Sequence, residues 1–300
     1  MTAEFVCGFV AVVGRPNVGQ STLINHILGS KVSIVSPKPQ TTRHRILGVH
    51  TAEDYQAVFI DTPGLHRDAG RAMNRLMNRT AAAALMDAEV ILFVSEAHTW
   101  RDEDADVLKR LGNAKAPVIA VLNKVDQVAK KDRLLGTIAE LSERFDFAEI
   151  VPISAKTGDN VQMLLKTLRE YLPESPPLFP PEMLTDRSEA FQISELIREK
   201  LTLQLRDELP YGSTVQIEKL DRDPDTDRRI VHAVIWVERD SQKGIVIGKG
   251  GSMLKSIGQS ARREISRRLG EPVHLELWVK VKSNWANNEQ DLQNLGYERP

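Results

Sequence analysis

Glycine and hydroxyl side chains cluster directly after the first apolar segment of the chain. Glycine-rich loops of this kind let backbone N–H groups surround an anion at the N-terminus of a helix. A helical pattern follows at Thr22–Leu28, and the Ser21 hydroxyl is placed to ligate Mg²⁺. The spacing therefore predicts a phosphate site. The predicted phosphate-binding residues are Gly14, Arg15, Pro16, Asn17, Val18, Gly19, Gln20, Ser21 and Thr22.

Gln20 departs from the usual pattern of such a loop, which has lysine at this position. A lysine places a positive charge on the β- and γ-phosphates of a nucleotide, whereas the glutamine amide donates only a neutral hydrogen bond. Loss of a charge-assisted hydrogen bond costs about 1.5–3 kcal/mol, or roughly 10- to 150-fold in affinity. Taken alone, the loop is therefore as consistent with a glycine-rich turn that binds nothing as with a phosphate site.

Three further motifs lie at the ends of apolar segments. An aspartate such as Asp61 can hold Mg²⁺ through water, and Gly64 can offer its N–H to a γ-phosphate. The Asp126 carboxylate can accept hydrogen bonds from the N1–H and 2-amino group of guanine, which adenine lacks, and the Ala155 N–H can meet guanine O6. In this order the motifs favour a GTP site over solvated turns. Their residues are Asp61, Thr62, Pro63 and Gly64, then Asn123, Lys124 and Asp126, and finally Ser154, Ala155 and Lys156.

These motifs need a scaffold, and the first half of the chain alternates apolar segments with helical patterns. The apolar segments are β-branched and nearly continuous, which is typical of strands buried on both faces of a parallel sheet. The alternation predicts an α/β domain with a mostly parallel, doubly wound sheet. The predicted strands are Phe9–Val13, Val58–Ile60, Val90–Val94, Val118–Leu122 and Ile150–Ile153, and the predicted helices are Asn74–Met86, Asp102–Leu111 and Asp132–Phe145.

The pattern changes after Tyr171. Five of the ten residues in Pro173–Glu182 are proline, which predicts an extended, semi-rigid linker. A smaller α+β domain follows, so we expect domains at 1–173 and 188–283, a linker at 174–187 and a tail at 284–300. The predicted elements of the second domain are helix Ser188–Glu208, strands Ser213–Leu220 and Ile230–Val237, helix Ser252–Leu269 and strand Val273–Val281.

Composition sets the class of protein. The 300 residues are 41% hydrophobic and 27% charged with a net charge of -1, which excludes general disorder and requires any basic site to be local. The single cysteine, Cys7, excludes an intramolecular disulfide and a cysteine-based zinc site. No apolar segment approaches the roughly 20 residues that span a bilayer, and the first residues do not resemble a signal peptide. We therefore expect a cytoplasmic protein.

The motifs together resemble the Era GTPases, and the resemblance covers nearly the whole chain. The residues that carry it are GRPNVGQS, PQTTR, DTPG, NKVD and SAK, followed by GKGG and by HLELWVKVKS near the end. It implies a phosphate-loop GTPase domain followed by an RNA-binding domain, in a protein of bacterial ribosome assembly. Family members have lysine at the position of Gln20, so the substitution puts tight nucleotide binding and turnover in question, but not the fold.

The resemblance also implies a first switch segment at residues 39–43. Thr42 would contact Mg²⁺ together with Ser21 and Asp61, with Thr41 the second choice. The alternative is a polar loop with a turn rich in serine and threonine.

Catalytic groups are harder to assign. Leu65 stands where Ras-like enzymes have a water-orienting glutamine. Asn17 lies where related GTPases use asparagine to bind K⁺ beside the phosphates, although a loop-stabilising role is equally consistent with the sequence. Asn17, Thr42 and Gly64 are therefore the catalytic candidates, and we expect slow hydrolysis of GTP.

The glycine cluster of the second domain matches the GxxG loop of a KH domain, and the helix before the first strand pair indicates the type II arrangement. Such a loop lets nucleic-acid phosphates approach, beside an apolar groove for single-stranded bases. Residues 242–282 hold nine basic and three acidic side chains, a basic patch typical of RNA binding. The alternative is a glycine turn beside a solvated basic helix. The predicted RNA-binding residues are Ile247, Gly248, Lys249, Gly250, Gly251, Lys255, Arg262 and Arg263.

By resemblance, the RNA is the 3′ region of 16S rRNA in the 30S ribosomal subunit, and the protein is a monomer that can also associate peripherally with the inner face of the cell membrane. Two alternatives remain. Because of Gln20, the chain can instead be a nucleotide-deficient RNA-binding protein. It can also be a GTPase of tRNA modification or of translation, against which the GxxG loop argues. Trp278 is expected to pack, whereas Trp285 either packs or stacks on a base.

Overall fold

The computed structural model describes residues 5–38, 40–64, 70–128, 131–206 and 209–297. The N-terminal domain has six strands: β1 (Val6–Val13), β2 (Ile46–Thr51), β3 (Tyr55–Asp61), β4 (Val90–Glu96), β5 (Val118–Asn123) and β6 (Glu149–Pro152). Its helices are α1 (Gln20–Leu28), α2 (Ala72–Asp87), α3 (Asp102–Leu111), α4 (Lys131–Arg144) and α5 (Val161–Arg169).

The six strands form one sheet in the order β2-β3-β1-β4-β5-β6. Strand β2 is antiparallel to β3, and the other neighbours pair in parallel. Successive residues of β1 enter different cores, with Val10 and Val12 on one face and Ala11 and Val13 on the other. This burial on both faces explains the continuous apolar segments, and the predicted mostly parallel sheet is confirmed.

The proline-rich segment lies along the edge of this sheet. The buried side chain of Gln56 accepts hydrogen bonds from the backbone N–H groups of Leu178 (2.8 Å) and Phe179 (2.9 Å). Farther along, the Val49 N–H of β2 donates to the Leu184 carbonyl at 3.0 Å. The segment is therefore held by backbone contacts that proline residues, which lack N–H donors, leave to their neighbours.

The C-terminal domain contains α6 (Glu189–Gln204), β7 (Ser213–Arg222), β8 (Arg229–Val237), α7 (Asp240–Ile247), α8 (Ser252–Leu269) and β9 (Val273–Val281). Its sheet has the order β7-β8-β9, with β7 antiparallel and β9 parallel to β8. The predicted type II KH arrangement is confirmed, since α6 precedes the first strand pair. The predicted end of the first helix includes residues 207–208, which lie outside the described residues.

The tail packs against both domains through α9 (Glu289–Asn294) and the residues around it. Trp285 is fully buried and shares a cluster with Met73 of α2, and its indole N–H donates to the Gly212 carbonyl at 3.3 Å. Stacking on a base is therefore wrong for this residue. The expected packing of Trp278 is also wrong, because 40% of this side chain is exposed on the edge strand β9.

Candidate functional site

The loop between β1 and α1 makes close contacts that only glycine permits. Gly19 has φ 104°, and a Cβ atom there would lie 2.3 Å from the Asn123 side chain. At Gly14 a Cβ atom would lie 2.4 Å from the Val94 carbonyl oxygen. The loop therefore curls tightly at the N-terminus of α1, where backbone N–H groups are free to meet an anion.

Three predicted magnesium ligands meet beside this loop. The Ser21 Oγ lies 2.8 Å from Asp61 Oδ2 and 3.2 Å from Thr42 Oγ1, and Thr42 Oγ1 lies 3.5 Å from the same carboxylate oxygen. Burial raises the pKa of Asp61 to about 6, and the nearby hydroxyl groups offset this only in part. Asp61 Oδ1 is buried and has no hydrogen-bond partner among the residues that the structure describes. Two hydroxyls around a buried carboxylate are a donor set that fits Mg²⁺.

Asn123 joins three of the predicted motifs. Its Oδ1 accepts hydrogen bonds from the N–H groups of Lys124 (2.8 Å) and Ala155 (2.9 Å), and its Nδ2 donates to the Val18 carbonyl at 2.8 Å. Only 2% of the residue is exposed. This side chain therefore fixes the phosphate loop, the NKVD motif and the SAK motif relative to one another.

The base-binding residues of the NKVD motif have fixed positions. The Ser154 hydroxyl donates to Asp126 Oδ1 at 2.7 Å, which orients the carboxylate expected to read guanine. The Lys124 ammonium donates to the Asn17 carbonyl at 2.8 Å and pairs with Glu96. The remaining SAK residue, Lys156, is exposed.

Glu96 also pairs with Arg15 of the phosphate loop, and Asp104 of α3 holds the same guanidinium at 3.0 Å. All three side chains are buried. Arg15 therefore supports the loop from behind and does not face a ligand. Thr62 supports it from the other side, since its hydroxyl donates to the Val12 carbonyl at 3.2 Å.

A cavity of about 370 Å³ opens beside the loop. Pro16, Asn17 and Gly64 line it, together with residues 34–38 and 40–42 of the loop between α1 and β2. Gln20 lines it too, but its Nε2 donates to the Val12 carbonyl at 3.2 Å and only 8% of the residue is exposed. The amide thus turns back onto β1. Leu65 and residue 39, named in the sequence predictions, lie outside the described residues.

The GxxG loop joins α7 to α8 with three glycines in conformations that other residues rarely adopt. Gly248, Gly250 and Gly251 have φ values of 73°, 58° and 78°. At Gly248 a Cβ atom would also lie 2.8 Å from Met253. Lys249 and Gly250 are exposed at the tip, so the backbone of the loop is open to a phosphate group.

A groove of about 450 Å³ runs from this loop between α8 and β9. It brings together Gly251, Lys255 and Arg262, whereas Arg263 lines a separate surface near Gly270. Its apolar wall consists of residues that the sequence predictions missed. These are Leu254, Gly258, Leu275 and Leu277. The helical spacing of residues 254, 258 and 262 is the sequence signal that identifies this face.

Comparison with known proteins agrees with this geometry. The family model described as "50S ribosome-binding GTPase" matches residues 9–124, and the KH domain model matches residues 208–286. A protein of Actinobacillus pleuropneumoniae serotype 5b named "GTPase Era" is 53% identical over 97% of this chain and 95% of its own. A relative of the same name from Vibrio cholerae is 52% identical over 97% of this chain and 90% of its own.

Two solved structures are similar over both domains. One is the crystal structure of Era in complex with MgGDPNP and nucleotides 1506–1542 of 16S ribosomal RNA. The other is a variant of Aquifex aeolicus Era bound to GDP.AlF4-. Each has a TM-score of 0.94 and 40% sequence identity, and each match covers 98% of this chain and 99% of the other.

Fold, motifs and comparisons define a phosphate-loop GTPase domain joined to a KH domain. The chain belongs to the Era family of GTPases, which are hydrolases of GTP. Within the parts of the chain that the structure describes, no helix has both the length and the apolar character that crossing a membrane requires.

Proposed function

We propose that this chain binds GTP and GDP with Mg²⁺ and hydrolyses GTP slowly. The observation that carries the proposal is the Asn123 side chain, which holds the phosphate loop and both base-reading motifs with hydrogen bonds of 2.8–2.9 Å. Asp126, oriented by Ser154, accepts the two guanine donors and so selects GTP over ATP.

Ser21, Thr42 and Asp61 would hold the magnesium ion, which supplies positive charge to the phosphates. The similar Era structure, which is a complex with MgGDPNP, supports this assignment. Asp61 must be ionised to act as a ligand, and its raised pKa means that the ion favours a form that burial alone disfavours. Gly64 lines the same cavity and can present its N–H to the terminal phosphate.

Slow hydrolysis is expected because we assign no general base among the described residues of the proposed site. Asn17 has φ 68°, and its Nδ2 donates to the Pro37 carbonyl at 2.7 Å, which ties the phosphate loop to the loop between α1 and β2. This bond leaves the Asn17 Oδ1 for a K⁺ ion beside the phosphates. K⁺ would then supply charge that the glutamine at position 20 does not.

We propose that the KH domain binds single-stranded RNA in the 3′ region of 16S rRNA, in the groove between α8 and β9, and that the protein acts in assembly of the 30S subunit. The 16S rRNA segment in the similar Era complex supports this RNA. Nucleotide state would alter RNA affinity through the loop between α1 and β2. A cytoplasmic location, a monomeric state and a peripheral membrane contact stay predictions of the family resemblance.

A second candidate function is RNA binding without nucleotide. It is favoured by Gln20, because the amide is neutral and its N–H is directed at the Val12 carbonyl. Under this alternative the KH domain keeps its activity while the phosphate loop is only a structural turn.

Titration of fluorescent GDP and of a GTP analogue, with Mg²⁺ and K⁺, separates the two functions. The parent chain and its Gln20→Lys variant are compared. We expect measurable binding by the parent and roughly 10- to 150-fold tighter binding by the variant, because lysine restores a charge-assisted hydrogen bond. Binding by the variant alone would leave the parent as an RNA-binding protein, and binding by neither would contradict the proposed function.

A further inference from the structure

The loop between α1 and β2 (residues 29–45) lies against α6, the first helix of the KH domain. Near its start, the Val35 N–H donates to Glu199 Oε1 at 3.1 Å. The Lys38 ammonium then donates to the Leu205 carbonyl at the end of α6. Near Thr42, the Arg198 guanidinium donates to the Thr41 carbonyl at 2.5 Å. The wall of the predicted GTPase site is thus held by the other domain.

Arg198 is itself fixed by an ion pair within α6. Its Nε and Nη2 each lie 2.6 Å from a different carboxylate oxygen of Glu195. The two residues are only 1% and 5% exposed. Burial favours the neutral carboxyl, but the guanidinium outweighs it and keeps the pKa of Glu195 below its ordinary value. The pair therefore stays charged and rigid.

The third bond of the fork reaches across the domain boundary. Nη2 carries two protons, one directed at Glu195 and one at Thr41. A planar guanidinium can satisfy both acceptors in one geometry, which a single ammonium group on a flexible stem cannot. The donor that meets Thr41 is thus aimed by the ion pair.

The Thr41 carbonyl belongs to the same peptide unit as the Thr42 N–H. Because this unit is planar and trans, fixing the carbonyl direction fixes the N–H direction and restricts where the Thr42 side chain can point. Thr42 Oγ1 lies 3.2 Å from Ser21 Oγ at the predicted magnesium site. Arg198 is therefore two steps from the metal: through one peptide plane and one side chain.

We propose that Arg198 of the KH domain is a positioning residue for the GTPase site, which holds Thr42 in place for Mg²⁺ and the terminal phosphate. This inference rests on the proposed GTP hydrolysis. It makes the orientation of α6 a determinant of turnover, so RNA that moves the KH domain would change the GTPase site through this contact.

The first test is hydrogen exchange of the full chain, which needs no turnover. The double variant Glu195→Leu/Arg198→Met removes the pair together, since apolar replacement of both partners preserves folding better than an unpaired buried charge. We expect exchange of residues 40–43 to become about 10- to 100-fold faster, while strand β8 exchanges as before. Unchanged exchange at residues 40–43 in a folded variant would overturn the inference.

The second test measures GTP turnover with Gln20→Lys as the background. We expect kcat to fall about 10- to 100-fold on adding the double substitution, with GDP affinity within about 3-fold. The reason is that the side-chain hydrogen bonds of Arg198 within the described chain go to Glu195 and Thr41, and not to the phosphate loop or the base-reading motifs. Arg198→Lys with Glu195 retained should recover part of kcat. Arg110→Ala removes an exposed arginine of α3 and serves as the matched control.

The two proposals fail in different ways. If the Gln20→Lys background itself does not hydrolyse GTP, the proposed function fails, and the exchange experiment still decides whether Arg198 orders the loop. If the background is active and the double variant keeps its kcat, Arg198 has no positioning role. A loss of kcat, GDP affinity and β8 protection together would show a general loss of structure and would also overturn the inference.

Discussion

Replacing Asn123 by alanine should uncouple the nucleotide site without unfolding the domain. The side chain makes hydrogen bonds to Val18, Lys124 and Ala155, one to each of three loops. Each loop continues directly from a strand or helix of the sheet, so the scaffold survives the change while the relative positions of the loops do not. The substitution therefore tests whether this one residue organises the predicted site.

The size of the effect follows from the three bonds. A neutral hydrogen bond contributes about 0.5–1.5 kcal/mol net, so three give roughly 1.5–4.5 kcal/mol if they were independent. They are coupled through one side chain, which places the expected loss in the lower part of the corresponding range of about 10- to 1,000-fold in affinity. Stability should fall by a few degrees in Tm, since about 1 kcal/mol shifts Tm by roughly 2–4 °C in a domain of this size.

Fluorescent GDP titration and thermal unfolding measure the two effects separately, in the Gln20→Lys background to give a wide affinity range. Asn123→Asp keeps an acceptor for Lys124 and Ala155 but loses the donor to Val18. Asn160→Gly is the matched control, because it removes a single amide bond to Pro152, 2.8 Å long, without straining a residue at φ 59°. GDP affinity within about 2-fold of the parent in Asn123→Ala, alongside a lower Tm, would refute an organising role.

Two further predictions concern the interface and the RNA groove. Burial against Tyr297 and Phe191 lowers the pKa of His44 from 6.5 to about 3, so only the unfolded chain takes up this proton between those values. The free energy of unfolding should therefore fall by up to about 1.4 kcal/mol per pH unit below pH 6.5; urea unfolding at pH 7 and 5 should show a smaller loss in His44→Gln, and equal losses would contradict this. Lys249→Ala and Lys255→Ala should each weaken RNA binding and lower the salt dependence by about 0.7 per phosphate contact, measured on single-stranded RNA at about 50–200 mM salt; an unchanged slope would place both lysines outside the site.

The sequence predicts the parallel strands well because burial on both faces leaves an unmistakable apolar run. It misses β2, whose segment ILGVHT is mixed in character and follows a polar loop. That strand is antiparallel and at the sheet edge, where one neighbour and one covered face impose less on the sequence. Helix α5 is missed for a different reason: its N-terminal residue Asn160 makes no capping hydrogen bond, so the usual start signal is absent.

The nucleotide motifs identify which residues belong to the site, but not how they are held. Asn123 is recognised as part of NKVD, yet its bond to Val18 joins residues 105 positions apart and has no local signature. The same holds for Arg198, whose partner Thr41 is 157 positions away. An arginine three residues after a glutamate on a helix reads as an ordinary surface pair. Only the packing of α6 against the loop between α1 and β2 buries this pair and gives it a second role.

Gln20 is the residue for which sequence and structure must be weighed together. Because its amide donates to the Val12 carbonyl, the glutamine satisfies a buried acceptor and keeps the phosphate loop folded. The bonds of Asn123 and the cluster of Ser21, Thr42 and Asp61 do not involve position 20. The substitution therefore acts on the energy of the bound phosphates and not on the architecture that receives them. It follows that Gln20→Lys should change nucleotide affinity far more than it changes Tm, and that the base-reading motifs carry a larger share of the affinity here than in family members with lysine.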